Sequence, residues 1–553
     1  MTGNVKDSSI DFDAVIIGAG FSGLYMLHIL REAGFTSRVF EAGENVGGVW
    51  YWNRYPGLRC DSESIYFNYT FSEKLYKGWT WSSRYPEQPE ILSYLNYVAD
   101  TLDLRKDITF NTWVESAHYD EENNKWVIKT KEGECVTARL FITGVGCLSA
   151  ANIPTIKGIE SYDGEIYHTS RWPHKQIDFK GKRVGVIGTG SSGIQVIPII
   201  AQESKHLTVF QRTPQYTLPA NNHLLDPEYL QNIMDNFENF RNEVRHKTNG
   251  GFITKPLNRS ALEDTPEQRE RIYENYWNKG GPHFLSGSYN DLSTNPEANE
   301  TAAEFVKNKI LEIVKDHKIA EKLIPTFPIG AKRIVIDTGY YETYNRVNVS
   351  LIDTKKEQII EITPKGVSTT EREYEIDVLV LATGYDAMTG PLLKIDIRGK
   401  SDISLKEKWD GGANLKTYLG LANSGFPNMF TITGPQSPSV LGTVPIFIEQ
   451  HVEWIAECIN FLRENEIVEI EATKEAEEVW SKHAHEVASK FFYAEHDSWY
   501  TGANIEGKPK GILVYRGGFQ LYRKKCDEVV NNGYEGFQLT YRKNLSNNNS
   551  LIH

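Results

Sequence analysis

The chain is short of three things. Cysteine is scarce: Cys60, Cys135, Cys147, Cys458 and Cys526 are the only five in 553 residues, and no two stand as C-x-x-C. That spacing excludes a redox dithiol and a zinc knuckle, and no metal site is expected. Long apolar runs are missing as well. No stretch approaches the roughly 20 apolar residues of a membrane span, and the start, MTGNVKDSSI, has no apolar core of the secretory type. A cytoplasmic chain with no membrane partner is the expectation. Positive charge is the third shortage: 60 Lys and Arg stand against 73 Asp and Glu, a formal charge of -13. The basic residues are scattered, so no nucleic-acid partner is expected.

What the chain does have is glycine at informative spacings. Asp13-Ala-Val-Ile-Ile is a short β-branched run that leads straight into Gly18-Ala-Gly20-Phe-Ser-Gly23. Leu24, Leu27 and Leu30 follow at helical spacing, and Ser37-Arg-Val-Phe-Glu41 reads as a second strand. Together these make the strand–G-x-G-x-x-G–helix unit of a dinucleotide fold. Gly18 allows the tight turn, Gly20 lets backbone approach a pyrophosphate, and Gly23 lets the helix sit close to the sheet. The helix N-terminus then offers free N–H groups to the diphosphate. Glu41, 23 residues beyond Gly18, stands where an acid takes ribose hydroxyls.

A second copy starts at Lys182, with Gly188, Gly190 and Gly193 in the same spacing and Leu207-Thr-Val-Phe-Gln-Arg-Thr213 as its second strand. The position equivalent to Glu41 is Gln211, and Arg212 stands beside it. A carboxylate repels a 2′-phosphate, whereas a guanidinium binds one bidentately. The first unit is therefore assigned to FAD and the second to NADPH. Phe21 and Ser22 inside the first motif are expected at FAD. Thr189, Ser191, Ser192 and Gln195 in the second, with Thr213 beside Arg212, are expected at NADP.

Two further runs, Leu140-Phe-Ile-Thr-Gly144 and Asp377-Val-Leu-Val-Leu-Ala-Thr-Gly384, read as buried strands that return the chain between units. The fold expected is α/β, two Rossmann-like dinucleotide-binding domains with a mainly helical insertion in the NADP domain. Its expected layout is an FAD-binding first part over 1–145, a linker over 146–180, and NADP-binding residues 181–220. A helical insertion over 221–325, the second NADP part over 326–385 and the second FAD part over 386–553 follow. The Asn-rich tail from Asn544 is expected to fray.

Two nucleotide units allow three chemistries. A disulfide reductase needs a dithiol beside the flavin, which is missing. A simple oxidase has no need of the second unit. A monooxygenase uses both, with NADPH reducing the flavin so that O2 can add to it as a C4a-peroxide.

The linker narrows this. Tyr162-Asp-Gly164-Glu-Ile-Tyr-His168-Thr-Ser-Arg-Trp172-Pro173 resembles the Baeyer–Villiger monooxygenase fingerprint F-x-G-x-x-x-H-x-x-x-W-P, with Tyr162 in place of Phe. The likeness runs from Phe12 to the region of Gly536 and is to the cyclohexanone and phenylacetone monooxygenase branch. Gly47–Gly57, Gly339–Arg346 and Trp499–Lys508 carry it too. The resemblance implies insertion of one oxygen atom from O2 beside a ketone carbonyl, through a tetrahedral adduct, giving an ester or lactone; sulfoxidation is a further reaction it implies.

It also implies roles for residues. Arg333, in Gly330-Ala-Lys-Arg, is the fixed cation near the flavin, and Asp61 is its carboxylate partner; these two are the expected catalytic residues. Ile334 follows Arg333 where the family usually has Pro. Lys332 is expected to share the 2′-phosphate with Arg212, and Trp499 to fold over NADP from a mobile loop. Val49, Trp50, Arg59, Cys60, Asp61, Phe67, Val114 and Val444 are expected beside FAD. Val49 replaces a common Thr and Phe67 a common Tyr. His168 is expected to couple domain motion to turnover rather than to act as acid or base. An N- or S-oxygenating flavin monooxygenase is the alternative reading, and a non-catalytic flavin-binding sensor a remote one. A monomer is expected, with a small-molecule ketone and O2 as its partners.

Overall fold

The computed structural model describes residues 10–542; the tail from Asn544 lies outside them. Two separate sheets organise the chain. The first has eight strands and holds Phe12–Ile17 at its centre, with Ser37–Phe40 on one side and Cys135–Thr143 on the other, all parallel. Val114–Asp120, Lys125–Thr130 and Cys135–Thr143 form an antiparallel meander on one flank. The chain comes back much later to add Asp396–Arg398 and Met429–Thr431 to the same sheet.

The second sheet runs Val349–Asp353, His206–Gln211, Arg183–Ile187, Val378–Leu381, Glu165–His168, and every pairing in it is parallel. Parallel sheets covered on both faces by helices are the Rossmann-like arrangement, so the fold is α/β with two such units. Both return strands fall where the sequence suggests, one in each sheet. The fingerprint stretch is more than a connection: Glu165–His168 is the edge strand of the second sheet, in register with Val378–Leu381.

Helix Phe21–Glu32 follows the first glycine motif and buries Leu24, Leu27 and Leu30 completely. Helix Ser191–Glu203 does the same after the second, burying Ile194, Val196, Ile197 and Ile200. The glycines that open each turn have no substitute. Gly18 has φ +95° and a Cβ there would meet the Gly144 carbonyl oxygen at 2.8 Å; Gly188 has φ +108° and would meet that of Ala382 at 2.4 Å. Each opening turn therefore packs on the end of its return strand, which is why the two sequence signals occur together.

The region between 221 and 325 is helical, and it divides between two cores. Ile233, Phe237, Phe240 and Val244 pack with the first sheet's helices, while Tyr273, Phe284 and Phe305 pack with the second sheet's. Arg245 locks the first group down by pairing with Glu453 and lying 3.8 Å from the fully buried Glu449, both on the long helix Val444–Glu464. Among the described residues no helix is long and apolar enough to cross a membrane.

Candidate active site

A cavity of about 1450 Å³ opens where the C-terminal ends of both sets of strands meet. A single small-molecule pocket occupies roughly 300–1,000 Å³, so this cleft has room for more than one ligand. Position follows from topology: in open α/β sheets, ligands sit beyond the carboxyl ends of the strands.

At the first sheet, Gly18, Gly20, Phe21 and Ser22 form the floor of the cleft and Glu41 its side. Glu41 is buried, and its carboxylate accepts from the N–H of Ala19 and of Gly43, each at 2.7 Å. Burial raises its pKa, and those amides together with Trp52 oppose the rise. Val49, Trp50, Phe67, Val114 and Val444 line the same end. Phe67 packs edge-on to Phe21 and Trp50, with ring centroids 5.2 and 5.6 Å away. Gly23 does not reach the cleft; a Cβ on it would meet the Gly18 carbonyl oxygen at 1.8 Å, so its part is helix packing.

Gly188, Thr189, Gly190, Ser191, Ser192 and Gln195 line the opposite wall, and nothing lies within 4 Å of where a Cβ on Gly190 would be. That open approach suits a phosphate against bare backbone. Gly193, like Gly23, faces inward, 2.2 Å from the Gly188 carbonyl oxygen by the same measure.

The centre belongs to Arg333 and Asp61. Arg333 Nε and Nη2 each donate to a different oxygen of Asp61 at 2.7 Å, and Nη1 donates to the Val440 carbonyl at 2.5 Å. Burial works against this guanidinium's charge, but Asp61 and Tyr500 outweigh it and its pKa lies well above the usual arginine value. It is a fixed cation. Cys60 and Cys147 also line the cleft; burial raises both thiols, Cys147 to about 11. Protonated thiols are poor nucleophiles.

Arg59 pairs with Glu87 at 2.5 Å, and its carbonyl accepts from Gln195 Nε2 at 3.0 Å, tying the Asp61 segment to the second unit's helix. Arg212, Thr213 and Lys332 line the cleft farther along, Lys332 standing 4.8 Å over the Phe327 ring. Trp499 is half-buried on the cleft wall with Asp497 and Ser498 beside it. Its loop docks through Lys508 on Asp386 at 2.6 Å and Asn504 on the Tyr385 carbonyl at 2.8 Å.

His168 is buried away from the reacting region. Its Nε2 bonds Thr383 Oγ1 at 3.0 Å and the Asn152 carbonyl at 3.2 Å, and its Nδ1 accepts from the Ser170 N–H at 3.1 Å. Burial lowers its pKa, against an opposing hydrogen bond to the Asn152 carbonyl. Trp172 is buried in the second core with Tyr55 and Phe179.

Several cleft residues escape the sequence reading. Tyr385 follows the A-T-G turn directly and donates to Asn53 at 3.0 Å; the turn itself could have pointed to it. Lys355 follows the strand Val349–Asp353, another strand end that could have been read. Lys131 and Trp113 meet across a hairpin and carry no sequence signature.

The comparisons with known proteins bear on the family and the fold. The family description FMO-like, flavin-binding monooxygenase-like, matches residues 13–256. A Baeyer-Villiger monooxygenase of Pseudooceanicola batsensis is 42% identical over 96% of this chain and 97% of its own length. The phenazine N-monooxygenase PhzNO1 of Lysobacter antibioticus is 41% identical over 97% of this chain and 98% of its own. The crystal structure of OTEMO in complex with FAD and NADP superposes with a TM-score of 0.92 at 40% identity, covering 96% of this chain and all of that one. With identity of this order along nearly its whole length, the chain belongs to the Baeyer–Villiger monooxygenases of the flavin-binding monooxygenase-like family.

Proposed function

We propose that this chain is an FAD-dependent, NADPH-consuming monooxygenase that inserts one oxygen atom from O2 beside a ketone carbonyl. The observation that carries the reading is Arg333, clamped bidentately by Asp61 between two glycine-motif walls of one cleft. When bound, FAD would take hydride from NADPH and deliver an oxygen atom of O2 to the substrate.

The residues fit both nucleotides. Gly20 and Gly190 leave backbone bare for pyrophosphates, Glu41 would hold the FAD ribose, and Arg212 with Thr213 and Lys332 would hold the 2′-phosphate. The Arg333 guanidinium would stabilise negative charge developing on oxygen as it adds to the carbonyl. Asp61 would keep that cation at one place and in one orientation. Trp499 would cover the nicotinamide nucleotide and help exclude water. Within the same proposal the enzyme works as a cytoplasmic monomer, which light scattering and cell fractionation would check.

N-oxygenation is a second reading, favoured by the phenazine N-monooxygenase relative. It uses a soft nucleophile and has less need of an oxyanion clamp. The deciding test feeds cyclic, linear and aryl ketones, and aromatic N-heterocycles, to the FAD-loaded enzyme with NADPH. Ester or lactone, identified by mass spectrometry, is the expected product. N-oxide formation with no ester from any ketone would overturn the ketone reading.

A further inference from the structure

Arg333 has two anchors, the Asp61 carboxylate and the Val440 carbonyl, and both are backed by one residue of the 221–325 insertion. Two residues beyond Asp61 stands Glu63. One of its carboxylate oxygens accepts from Arg84 Nε and Nη2, at 3.0 and 2.7 Å, and from His283 Nε2 at 2.6 Å. Burial works against charge on Glu63, but the His283 bond and the Arg84 guanidinium outweigh it and hold its pKa below the usual carboxylate value. An ionised carboxylate only accepts, so the imidazole carries a proton on Nε2. The same imidazole stands edge-on to Phe252, with ring centroids 6.2 Å apart. Two residues before Phe252, the Gly250 carbonyl accepts from the Thr443 N–H at 2.8 Å, and a Cβ on Gly442 would meet that oxygen at 2.2 Å. Val440 lies two residues before Gly442. His283 is held firmly in turn, since Phe284 beside it is fully buried and packs on Tyr273 and Phe305, with centroids 5.3 and 5.6 Å away. His283, Glu63 and Arg84 all stand outside the cleft lining.

We propose that His283 is a positioning residue for the oxygen transfer, fixing the two anchors of Arg333 relative to each other through Glu63 and through Phe252. This rests on the ketone reading above. Asp61 and Val440 lie on separate segments of the chain, so their mutual register depends on contacts behind the cleft. A shift of one against the other swings or unpairs the guanidinium, and a misplacement of about 1 Å can cost about 10²-fold in rate. The imidazole makes a donor contact and a ring contact, and each can be removed alone. Arg84 bonds Glu63 as well, and its Nη1 donates to the Lys279 carbonyl at 2.5 Å. Losing the His283 donor therefore loosens Glu63 without freeing it.

The test compares wild type, H283F, H283Q and E63Q, each FAD-loaded, with a ketone that the wild type converts. It reads ester kcat and KM, ester and hydrogen peroxide formed per NADPH, and anaerobic flavin reduction. FAD content and melting temperature are measured on each preparation. H283F keeps a ring against Phe252 and loses the donor; H283Q keeps an amide donor near the place of Nε2. H283F is expected to lower ester kcat about tenfold, short of a full misplacement because Arg84 still holds Glu63. Its ketone KM and its flavin reduction should not change, and more of its NADPH should end as hydrogen peroxide. H283Q should recover most of the loss. E63Q, which keeps the shape and removes the charge, should show the same split as H283F. Wild-type ester kcat and coupling in a folded H283F, or in E63Q where H283F fails to fold, overturns the positioning role alone. Equal losses in H283F and H283Q would mark packing rather than a placed donor and overturn it too. A wild type that forms no ester from any ketone overturns the function reading and this proposal with it.

Discussion

Replacing Arg333 with alanine separates the two half-reactions, and its size follows from counting hydrogens. A guanidinium has five N–H groups. Two go to Asp61 and one to the Val440 carbonyl. Two remain, one on each terminal nitrogen, with Tyr500 also bearing on the group, on a side chain that is 24% exposed and lines the cleft. Removing a single preorganised donor from a developing oxyanion costs about 10²–10³ in rate, or ~2.7–4 kcal/mol. Alanine removes both donors and the charge, so ester formation should fall by ~10³ or more. Hydride transfer creates no oxyanion at this place, and flavin reduction by NADPH should change by less than about tenfold. Arg333→Lys keeps a charge but lacks the planar fork that holds Asp61, so it should fall between the two. Anaerobic stopped-flow absorbance measures reduction; product analysis in air gives ester and hydrogen peroxide. Because alanine leaves Asp61 unpaired, FAD content and the melting temperature are measured on the same preparation. Ester formed at the wild-type rate by a folded, FAD-loaded Arg333→Ala enzyme would refute the clamp.

Three other outcomes follow from the same geometry. Gly188→Ala puts a Cβ 2.4 Å from the Ala382 carbonyl at a φ of +108°; calorimetry should record a loss of ~2 kcal/mol or more, with NADPH binding weakened. Arg212→Ala should raise the NADPH KM at least ~tenfold and leave kcat and the NADH constants alone, in steady-state assays. His451 is fully buried, accepts from the Thr433 N–H at 3.0 Å, and has its pKa pushed down by burial to about 3. Below its unfolded value near 6.5 the unfolded chain binds the proton and the folded one does not, so this residue's contribution to stability shrinks as pH falls from 6.5 toward 3. The slope is about 1.4 kcal/mol per pH unit, or ~2 kcal/mol between pH 6.5 and 5. Urea titrations of wild type and His451→Gln isolate it from the buried acids, Glu41 and Glu449, whose raised pKa values act in the opposite sense; parallel pH profiles for the two proteins would sink it.

The parts of this molecule that the sequence announced are those where local chain chemistry and tertiary position coincide. Gly18 and Gly188 need a positive φ that few other residues adopt, and Leu24, Leu27 and Leu30 repeat with the helix they form. Arg212 was legible because a strand end fixes its place. Arg333 and Asp61 were of another kind. They are 272 residues apart, nothing in either local sequence demands the other, and resemblance to a family was the route to both. Lys355 and Tyr385 sit at strand ends and were within reach of the same reasoning that found Arg212. Lys131 and Trp113 were not, since a hairpin register decides their meeting. The insertion between 221 and 325 shows a further limit: its helical character was legible from composition and helix-like stretches, but which core each helix joins depends on pairs such as Arg245 and Glu453.

That long separation also says how the site is held together. Asp61 lies on a segment pinned to the second unit at several points. Tyr55 donates to Gln195 at 2.8 Å, Gln195 donates to the Arg59 carbonyl, and a Cβ on Gly57 would meet the Gln195 carbonyl oxygen at 2.5 Å. Gln195 sits in the second turn of the helix whose N-terminus, at Ser191, faces the expected NADP phosphates. An anion bound at that helix end stabilises the helix through its free N–H groups and dipole. The same helix grips the backbone that carries Asp61, and Asp61 grips Arg333. The helix at the expected second nucleotide site and the central cation are thus joined by one short chain of contacts. On the proposed reading, one bound nucleotide would both supply hydride and steady the guanidinium for the oxygen transfer that follows.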